Sequence, residues 1–154
     1  MSTPIVSLAR RWRMDVNIGT VASPNWQLCP GITEFQPTMP PNIEDSSDYD
    51  GNGWAGNTKT GQAWEIAATF NRKINDQTKV YNPVHEFLRL ASLAFGSASY
   101  VPIRFYDRNG LPEAYTGSAL VTWEPQGGEY TALDQVSVTL TGDGALTSIT
   151  NPAA

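Results

Sequence analysis

One acidic run carries the side chains best suited to chemistry. Asp48-Tyr49-Asp50-Gly51-Asn52-Gly53 matches the opening of a calcium-binding loop, in which alternate side chains supply oxygen ligands. Such a loop places a bidentate glutamate at its twelfth position, but counting from Asp48 this position is Lys59. Because the flanking sequence also has no helical pattern, a helix–loop–helix calcium site is excluded. A looser cation-binding loop within 44–54 stays open as an alternative.

Nucleophilic catalysis would have to use one histidine. His85 is the only histidine and Cys29 the only cysteine, so any Ser/His/Asp or Cys/His arrangement depends on His85. We expect His85, in the first turn of a predicted helix, to be an ordinary surface residue. Neither the G-x-S-x-G motif nor a phosphate-binding glycine loop occurs in the chain. The sequence therefore predicts a protein that is not an enzyme and that uses no cofactor and no metal.

Size and charge exclude several other classes. The 154 residues fit one domain with a sizeable core. The net charge of −5 argues against general nucleic-acid binding, which needs a basic face. No stretch approaches the ~20 apolar residues of a membrane span, and Arg10 and Arg11 interrupt the apolar segment near the amino terminus, so no signal peptide is expected. With a single cysteine, we expect a soluble chain made in a reducing cytoplasm, without membrane insertion.

Strand patterns dominate the chain. Apolar and polar residues alternate with a period of two in 12–18, 63–70 and 136–141. A hairpin is predicted from 100–106 and 113–123, because the residues Asn-Gly between them tolerate the positive φ angles of a tight turn. These segments predict antiparallel sheets in which one face of each strand is buried.

One helix is predicted over 82–95. Asn82 suits the N-cap, Pro83 the first helical position and Gly96 the position just past the end. Apolar residues at helical spacing form a stripe that should pack on a sheet, namely Val84, Phe87, Leu88, Ala91, Ala94 and Phe95. Leu93 projects to the opposite side and is a candidate contact between subunits.

These patterns together predict a mostly β (α+β) fold, with two packed antiparallel sheets forming a β-sandwich or barrel and one flanking α-helix. Residues 1–154 are expected to form a single domain, since no internal repeat or linker is visible. Gly142-Asp143-Gly144 is predicted to be a turn that precedes a terminal strand or arm.

A long loop is predicted over 37–60. Pro37, Pro40 and Pro41 are expected to end regular strand pairing, because proline cannot donate to a ladder. Long loops without internal structure are uncommon in compact domains and are usually functional or disordered. A purely solvated loop has no reason to carry the indole of Trp54, so we expect something outside the domain to receive it.

Opposite charges on two segments suggest self-association. Arginines near the amino terminus and carboxylates in the loop could meet between copies, although two solvated patches are the simpler alternative. Aromatic side chains are enriched in the buried centres of interfaces, and those of the loop fit an interface as well as a sugar-stacking platform. The candidate subunit and ring contacts are Arg10, Arg11, Arg13, Glu44, Asp45, Asp48, Tyr49, Asp50, Trp54 and Leu93.

The strand faces opposite the apolar positions are small, rich in hydroxyl groups and slightly acidic. A solvated face normally includes lysines and other long charged side chains. A face of this kind suits a smooth, wet surface along which a polyanion can pass without sticking. Its residues are Glu65, Ala67, Thr69, Thr116, Ser118, Thr122, Ser137, Thr139 and Thr141.

Segments distributed over nearly the whole chain carry a family resemblance. In order they are 12–17 (WRMDVN), 31–35 (GITEF), 48–54 (DYDGNGW), 59–60 (KT), 71–73 (NRK), 105–115 (FYDRNGLPEAY) and 136–144 (VSVTLTGDG). Their order and spacing resemble the major tail tube protein of long non-contractile-tailed (siphovirus-type) bacteriophages. That family carries no catalytic motif, so the resemblance implies no catalytic residues.

The resemblance implies a tail-tube fold, shared in outline with type VI secretion tube proteins. Hexameric rings would stack into the virion tail, and strands from each copy would close a β-barrel around a channel. The implied partners are further copies of the chain, the tape measure protein, the tail terminator and the tail-tip initiator, with DNA passing through the lumen without specific binding. Segments 1–11, 37–60 and 143–154 would be assembly arms, and the hydroxyl-rich faces would line the lumen.

The alternative is a monomeric β-sandwich module of a phage tail tip or fibre. It would bind carbohydrate or a receptor through Tyr49 and Trp54. The two functions differ in solution mass, because a module stays monomeric at all concentrations whereas a tube protein assembles.

Overall fold

The computed structural model describes residues 3–154 and consists mainly of antiparallel strands. One α-helix, α1 (Pro83–Leu93), and three 3-10 turns (Ala9–Arg11, Tyr49–Gly51 and Gly96–Ser99) accompany them. The strands are β1 (Trp12–Asn17), β2 (Trp26–Leu28), β3 (Ile32–Thr38), β4 (Pro41–Asp45), β5 (Asn57–Gln62), β6 (Glu65–Asn71), β7 (Ile74–Asn75), β8 (Val80–Tyr81), β9 (Tyr100–Asp107), β10 (Ala114–Pro125) and β11 (Gln135–Ser148).

Seven strands form one antiparallel sheet in the order β2-β1-β9-β10-β11-β6-β3. The sheet curls on itself, because Phe35 of β3 lies 6.0 Å from Trp12 of β1, and both rings contact Phe105 of β9. The prediction of a mostly β fold with one flanking helix is confirmed. The two packed layers belong to one curled sheet, and β4–β5 and β7–β8 form separate hairpins.

The core lies on the inner face of this sheet and beneath α1. Ile66 and Phe70 of β6 are fully buried beside their β11 partners Leu140 and Val136. Each large apolar side chain of this kind stabilises the fold by about 1.5–3 kcal/mol on burial. The largest fully buried side chains of the cluster are Met14, Val16, Ile66, Phe70, Val84, Leu88, Val101, Ile103, Phe105, Val136 and Leu140, and the larger Trp64 is 4% exposed.

Helix α1 begins as the sequence predicts and ends earlier. The Asn82 side chain accepts hydrogen bonds from the backbone N–H groups of Val84 at 3.0 Å and His85 at 3.5 Å. The helix ends at Leu93, and Ala94 already has an extended backbone conformation. Phe95 therefore leaves the helical stripe and is exposed, so the prediction that it packs in the core is wrong.

The segment predicted as a long loop over 37–60 is largely regular structure. Pro37 lies within β3, where it is paired in register with Ile66, and Pro41 begins β4. Both strands have a neighbour on one side only, so a proline can sit with its missing donor on the unpaired side. β4 and β5 form a hairpin, here called the arm hairpin, that spans Pro41–Gln62.

The turn predicted at Gly142-Asp143-Gly144 is also wrong. β11 runs continuously through these residues to Ser148. Its pairing with β10 shifts register between Thr116 and Ser118, and Gly144 has φ +79°. The glycines therefore belong to a β-bulge within a continuous strand and not to a turn that reverses the chain.

Across residues 3–154, none of the helices has the length and apolar character needed to cross a membrane.

Candidate assembly surfaces

The nine residues predicted to face a lumen lie on one face of the seven-stranded sheet. Cross-strand partners share a face, because side chains alternate along each strand with a period of two. Thr139 is paired with Ala67 on one side and with Thr122 on the other. Thr141 is paired with Glu65 on one side and with the exposed Leu120 on the other, so the register joins β10, β11 and β6 into one mainly polar face. The remaining members are Thr69, Thr116, Ser118 and Ser137.

This polar face has charges of one sign over half of the sheet. β3, β6, β10 and β11 contain no lysine or arginine. Their acidic residues are all exposed, and the pairing register places them on the polar face; they are Glu34, Glu65, Glu124 and Asp143. Over these four strands a phosphate backbone would meet only negative or neutral side chains. The next strand, β9, places Arg104 on the same face beside Thr116, where its charge is paired with the buried Asp15.

In the other half of the sheet, a buried carboxylate on β1 links this strand to β9, and the sequence analysis did not predict it. Asp15 is 1% exposed and accepts hydrogen bonds from Arg13 Nε at 2.9 Å, Arg104 Nε at 3.0 Å and the Tyr106 hydroxyl at 2.9 Å. Burial and the bond to Asp15 raise the pKa of Tyr106. The hydrogen bond to Asp15 raises the pKa of Arg13, which keeps its guanidinium charged. Arg13, a predicted subunit contact, thus neutralises a charge within its own chain.

The other two arginines of the predicted amino-terminal cluster differ from each other, since over the described residues Arg11 is paired within its own chain and Arg10 is not. Arg11 donates to Glu113 at 2.8 Å and to Asp107 at 3.2 Å, and its guanidinium lies 4.1 Å from the Trp12 ring centroid. The bond to Glu113 is the main cause of the raised pKa of Arg11. Within residues 3–154, Arg10 is exposed and forms no ion pair, so Arg10 remains available to another molecule.

The arm hairpin extends the β3–β6 pair beyond the end of the sheet. Its strands follow directly from Thr38 and lead directly into Glu65. Its tip exposes two aromatic side chains, since Tyr49 is 102% and Trp54 is 82% exposed. The predicted carboxylates Glu44, Asp45, Asp48 and Asp50 are exposed on the same hairpin.

The tip is held by local hydrogen bonds. Ser46 N–H donates to Gly56 O at 2.9 Å, and Gly56 N–H donates to the Ser47 hydroxyl at 2.9 Å. Hydrogen bonds from Ser47 lower the pKa of Asp45, whose Oδ1 accepts the Ser47 N–H at 2.8 Å. Over residues 3–154, no three His, Cys, Asp or Glu side chains come together closely enough to hold a metal ion.

Strand directions place several predicted arms at one end of the sheet, here called the arm end. The pairs Trp12↔Asp107 and Tyr115↔Ser148 put the amino-terminal segment, the β9–β10 turn and the carboxyl-terminal segment there. The pair Thr38↔Glu65 adds the arm hairpin. Of the predicted amino-terminal arm 1–11, residues 1 and 2 lie outside the described residues.

The carboxyl-terminal segment is docked on its own subunit. Asn151 is buried and donates through Nδ2 to Asp107 O at 2.9 Å and to Leu111 O. Its Oδ1 accepts the Ala153 N–H at 2.8 Å. Since 143–148 belongs to β11, the predicted arm 143–154 follows the body of the subunit along its length.

The end opposite the arm end exposes apolar side chains as well. Ile74, Val80 and Tyr81 of the β7–β8 hairpin are exposed, and so are Tyr130 and Leu133 in the β10–β11 loop. The outer side of α1 adds a third exposed apolar patch, formed by Leu90, Leu93 and Phe95. Leu93, a predicted contact, thus belongs to a larger exposed patch.

His85 has a structural position that the sequence did not predict. The ring is 0% exposed and stacks on Phe70 at a centroid distance of 4.2 Å. Lys73 N–H donates to Nδ1 at 3.3 Å, which makes Nε2 the protonated nitrogen that donates to Pro30 O at 2.9 Å. Burial lowers the pKa of His85. The prediction of a surface histidine is therefore wrong, and its two bonds tie α1 to the start of β3 and to the β7–β8 hairpin.

Comparisons with known proteins place this fold among tube proteins. No protein-family model matches the sequence, and no curated relative matches it. The tail of an empty gene transfer agent particle, solved with C6 symmetry, has a TM-score of 0.69 at 10% identity, covering 94% of this chain and 99% of that one. The SPP1 tail tube has a TM-score of 0.64 at 13% identity, covering 94% of this chain and 80% of that one. The sheath–tube complex of an extracellular contractile injection system, PVC, gives 0.61 at 12% identity, covering 92% and 91%. The chain therefore has the fold of tail and injection tube proteins.

Proposed function

We propose that this chain is the structural subunit of a phage-type tail tube, in which hexameric rings stack around a channel for DNA. The polar face carries the proposal. It combines strands from distant parts of the chain into one hydroxyl-rich surface, and β3, β6, β10 and β11 contribute no cation to it. The C6 symmetry of the similar gene transfer agent tail supports a ring of six copies.

The polar face is the inner wall of the proposed channel. DNA must move through a tail without being held, and every phosphate contact to a lysine or arginine adds salt-sensitive affinity. Glu34, Glu65, Glu124 and Asp143 supply weak repulsion instead. The apolar face and α1 lie on the other side of the sheet, which directs the core away from the channel.

Unpaired strand edges and exposed arms form the contacts between subunits in the proposed assembly. β2 and β3 each end the sheet with one unpaired edge, a hazard for a monomer that a neighbouring copy removes. The contacts between rings use the exposed tip of the arm hairpin and Arg10. Because such contacts are heterologous, they do not close on themselves and continue into a filament.

The rest of the assembly follows from this role. The tube is a virion component made in the host cytoplasm, its length is set by a tape measure protein, a tail-tip initiator starts it and a terminator caps it. Chains of similar fold occur in the structures of the PVC sheath/tube terminator and of the anti-feeding prophage cap, which supports association with such end components. No step in this role needs catalysis or a cofactor.

Solution mass and negative-stain electron microscopy of the purified chain test the proposal. Rings or tubes with a central channel, formed above a threshold concentration or on addition of a tail initiation complex, are the expected result. A chain that stays monomeric under both conditions contradicts it. That outcome favours the monomeric binding module, in which Tyr49 and Trp54 stack on a sugar or a receptor.

A further inference from the structure

The β7–β8 hairpin presents an apolar surface with a cationic rim, at the end of the sheet opposite the arm hairpin. Ile74, Val80 and Tyr81 leave large apolar areas in solvent. Lys73 precedes the hairpin and Lys79 occupies its turn, and both are exposed. An apolar patch rimmed by charge is typical of a surface that binds another protein.

This hairpin is held in place by the residues beneath it. Two-residue strands are marginally stable alone, so their position depends on the rest of the fold. The Arg72 guanidinium lies 4.1 Å from the Tyr81 ring centroid and donates to Glu86 Oε1 at 2.7 Å. Lys73 N–H is bonded to His85, and Lys73 O accepts the Asn82 N–H at 3.0 Å. A surface fixed in this way loses little freedom when a partner binds.

A pocket opens in the middle of the hairpin. It has a volume of about 210 Å³ and is lined by Ile74, Asn75, Asp76, Lys79, Val80 and Tyr81. An apolar cavity of roughly 150 Å³ is enough to hold a benzene-sized ring. The pocket therefore has room for part of one aromatic side chain, with Lys79 at its edge.

We propose that this pocket receives the arm-hairpin tip of a second copy of the chain in the next ring. Part of the Trp54 indole enters the pocket, and Asp48 and Asp50 pair with Lys79 and Lys73. The inference rests on the proposed tube function, because head-to-tail stacking is what brings the arm end of one copy to the opposite end of the next. The lysines of the receiving surface are opposite in sign to the carboxylates beside Trp54, and Lys79 would exchange its exposed ion pair with Asp76 for one with the incoming tip.

A second cationic surface competes for the same tip. Arg10 and Arg108 are exposed, but they lie at the arm end, as the pair Trp12↔Asp107 shows. The arm hairpin continues the β3–β6 pair past that end, so it would have to turn back over its own ring to reach these arginines. Contact with β7–β8 follows the direction in which the hairpin already points.

Disulfide trapping in assembled tubes tests the contact directly. Cys29 is buried, and burial raises its pKa to about 12, so it does not compete for oxidation. The variant that combines Asp50→Cys with Lys79→Cys is expected to give a ladder of cross-linked chains on mild oxidation. A matched variant that combines Asp50→Cys with Arg10→Cys is expected to give none.

Charge reversal supplies a second readout that does not need a new thiol. Asp50→Lys and Lys79→Asp are each expected to raise the critical concentration for assembly about tenfold, and the double variant to restore it. Tubes that cross-link through position 10, or in which the double variant gives no rescue, overturn the inference while the tube function stands. A wild-type chain that never assembles, even with a tail initiation complex, overturns both.

Discussion

The indole of Trp64 lies directly on the backbone of Gly142, and Gly142 N–H donates to Trp64 O at 2.9 Å. Trp64 Nε1 then donates to Gly144 O at 3.1 Å, so the ring is fixed at both edges. A Cβ atom at Gly142 would overlap the indole, and one at Gly117 would lie 2.6 Å from Trp64 Cζ2. Trp64 therefore occupies the space that side chains at Gly117 and Gly142 would fill, next to the bulge between β10 and β11.

This relationship predicts that Gly142→Ala destabilises the subunit. The new methyl group must displace a buried ring, and overpacking of this kind costs about 1–3 kcal/mol. The matched control is Gly61→Ala in β5, where the added Cβ meets Asn42 Cβ at an ordinary 3.5 Å. Urea unfolding of the monomeric chain measures both. Equal stability of the two variants would contradict the packing argument.

The buried carboxylate of Asp15 gives a second prediction. Asp15→Asn keeps the size of the side chain but leaves the cations of Arg13 and Arg104 without their counter-charge. Because the Arg13 and Arg104 side chains are 40% and 23% exposed, water offsets part of the loss, and we expect a cost of about 1.5–3 kcal/mol, as for a hydrogen bond to a charged group. Asp76→Asn is the control, because Asp76 pairs with Lys79 at the surface, where such pairs contribute below about 1 kcal/mol. Comparable losses in the two unfolding free energies would show that Asp15 is not held as described.

Sequence reasoning found the elements whose burial follows a simple period. Apolar and polar residues alternate in β6 because one face of the strand is in the core and the other is polar. Asn82 and Pro83 predict the N-terminus of α1, because they are typical of the N-cap and the first helical position. The arm hairpin escaped detection because all residues of β4 are exposed, which leaves no apolar alternation to read. Asp15 and His85 escaped for another reason. Arg104 is 89 residues from Asp15 and Pro30 is 55 residues from His85, so these contacts exist only in the fold.

The same limit applies to the assembly surfaces. The polar face could be identified from sequence because its members alternate with buried residues along each strand. The division of the arginines could not, because the partners Asp107 and Glu113 of Arg11 come from the distant β9–β10 region. The sequence and the single subunit show which side chains are exposed for a partner. Which of them touch a neighbouring copy depends on how the copies are arranged in the assembly.

His85 predicts that stability falls on acidification below about pH 6.5, the ordinary histidine pKa. Burial lowers its folded-state pKa, and Nδ1 already accepts a hydrogen bond, so the unfolded chain takes up a proton before the folded chain does. The free energy of unfolding therefore decreases as the pH falls from 7 towards 5, by at most about 1.4 kcal/mol per pH unit.

Urea unfolding between pH 5 and 8 measures this slope, with His85→Gln as the comparison. Because His85 is the only histidine, the variant is expected to lose most of the slope in this window. The imidazole NMR signal of the folded chain provides an independent check, because it should remain that of the neutral ring below pH 6.5. A free energy of unfolding that increases towards pH 5 would have the opposite sign and would contradict a neutral, buried ring.

The polar face predicts how the proposed channel treats DNA. Glu65→Lys places a cation on this face, next to Thr141 and Thr38, at an exposed position that forms no ion pair within residues 3–154. Tubes of this variant are expected to retain short duplex DNA in a salt-dependent way, because lysine–phosphate contacts release counterions. Glu129→Lys makes the same change of charge in the exposed β10–β11 loop, away from this face. DNA held in the lumen resists nuclease, whereas DNA on the outside is digested. Protection by Glu65→Lys tubes alone supports the assignment of the polar face, and protection by neither variant, or by both, contradicts it.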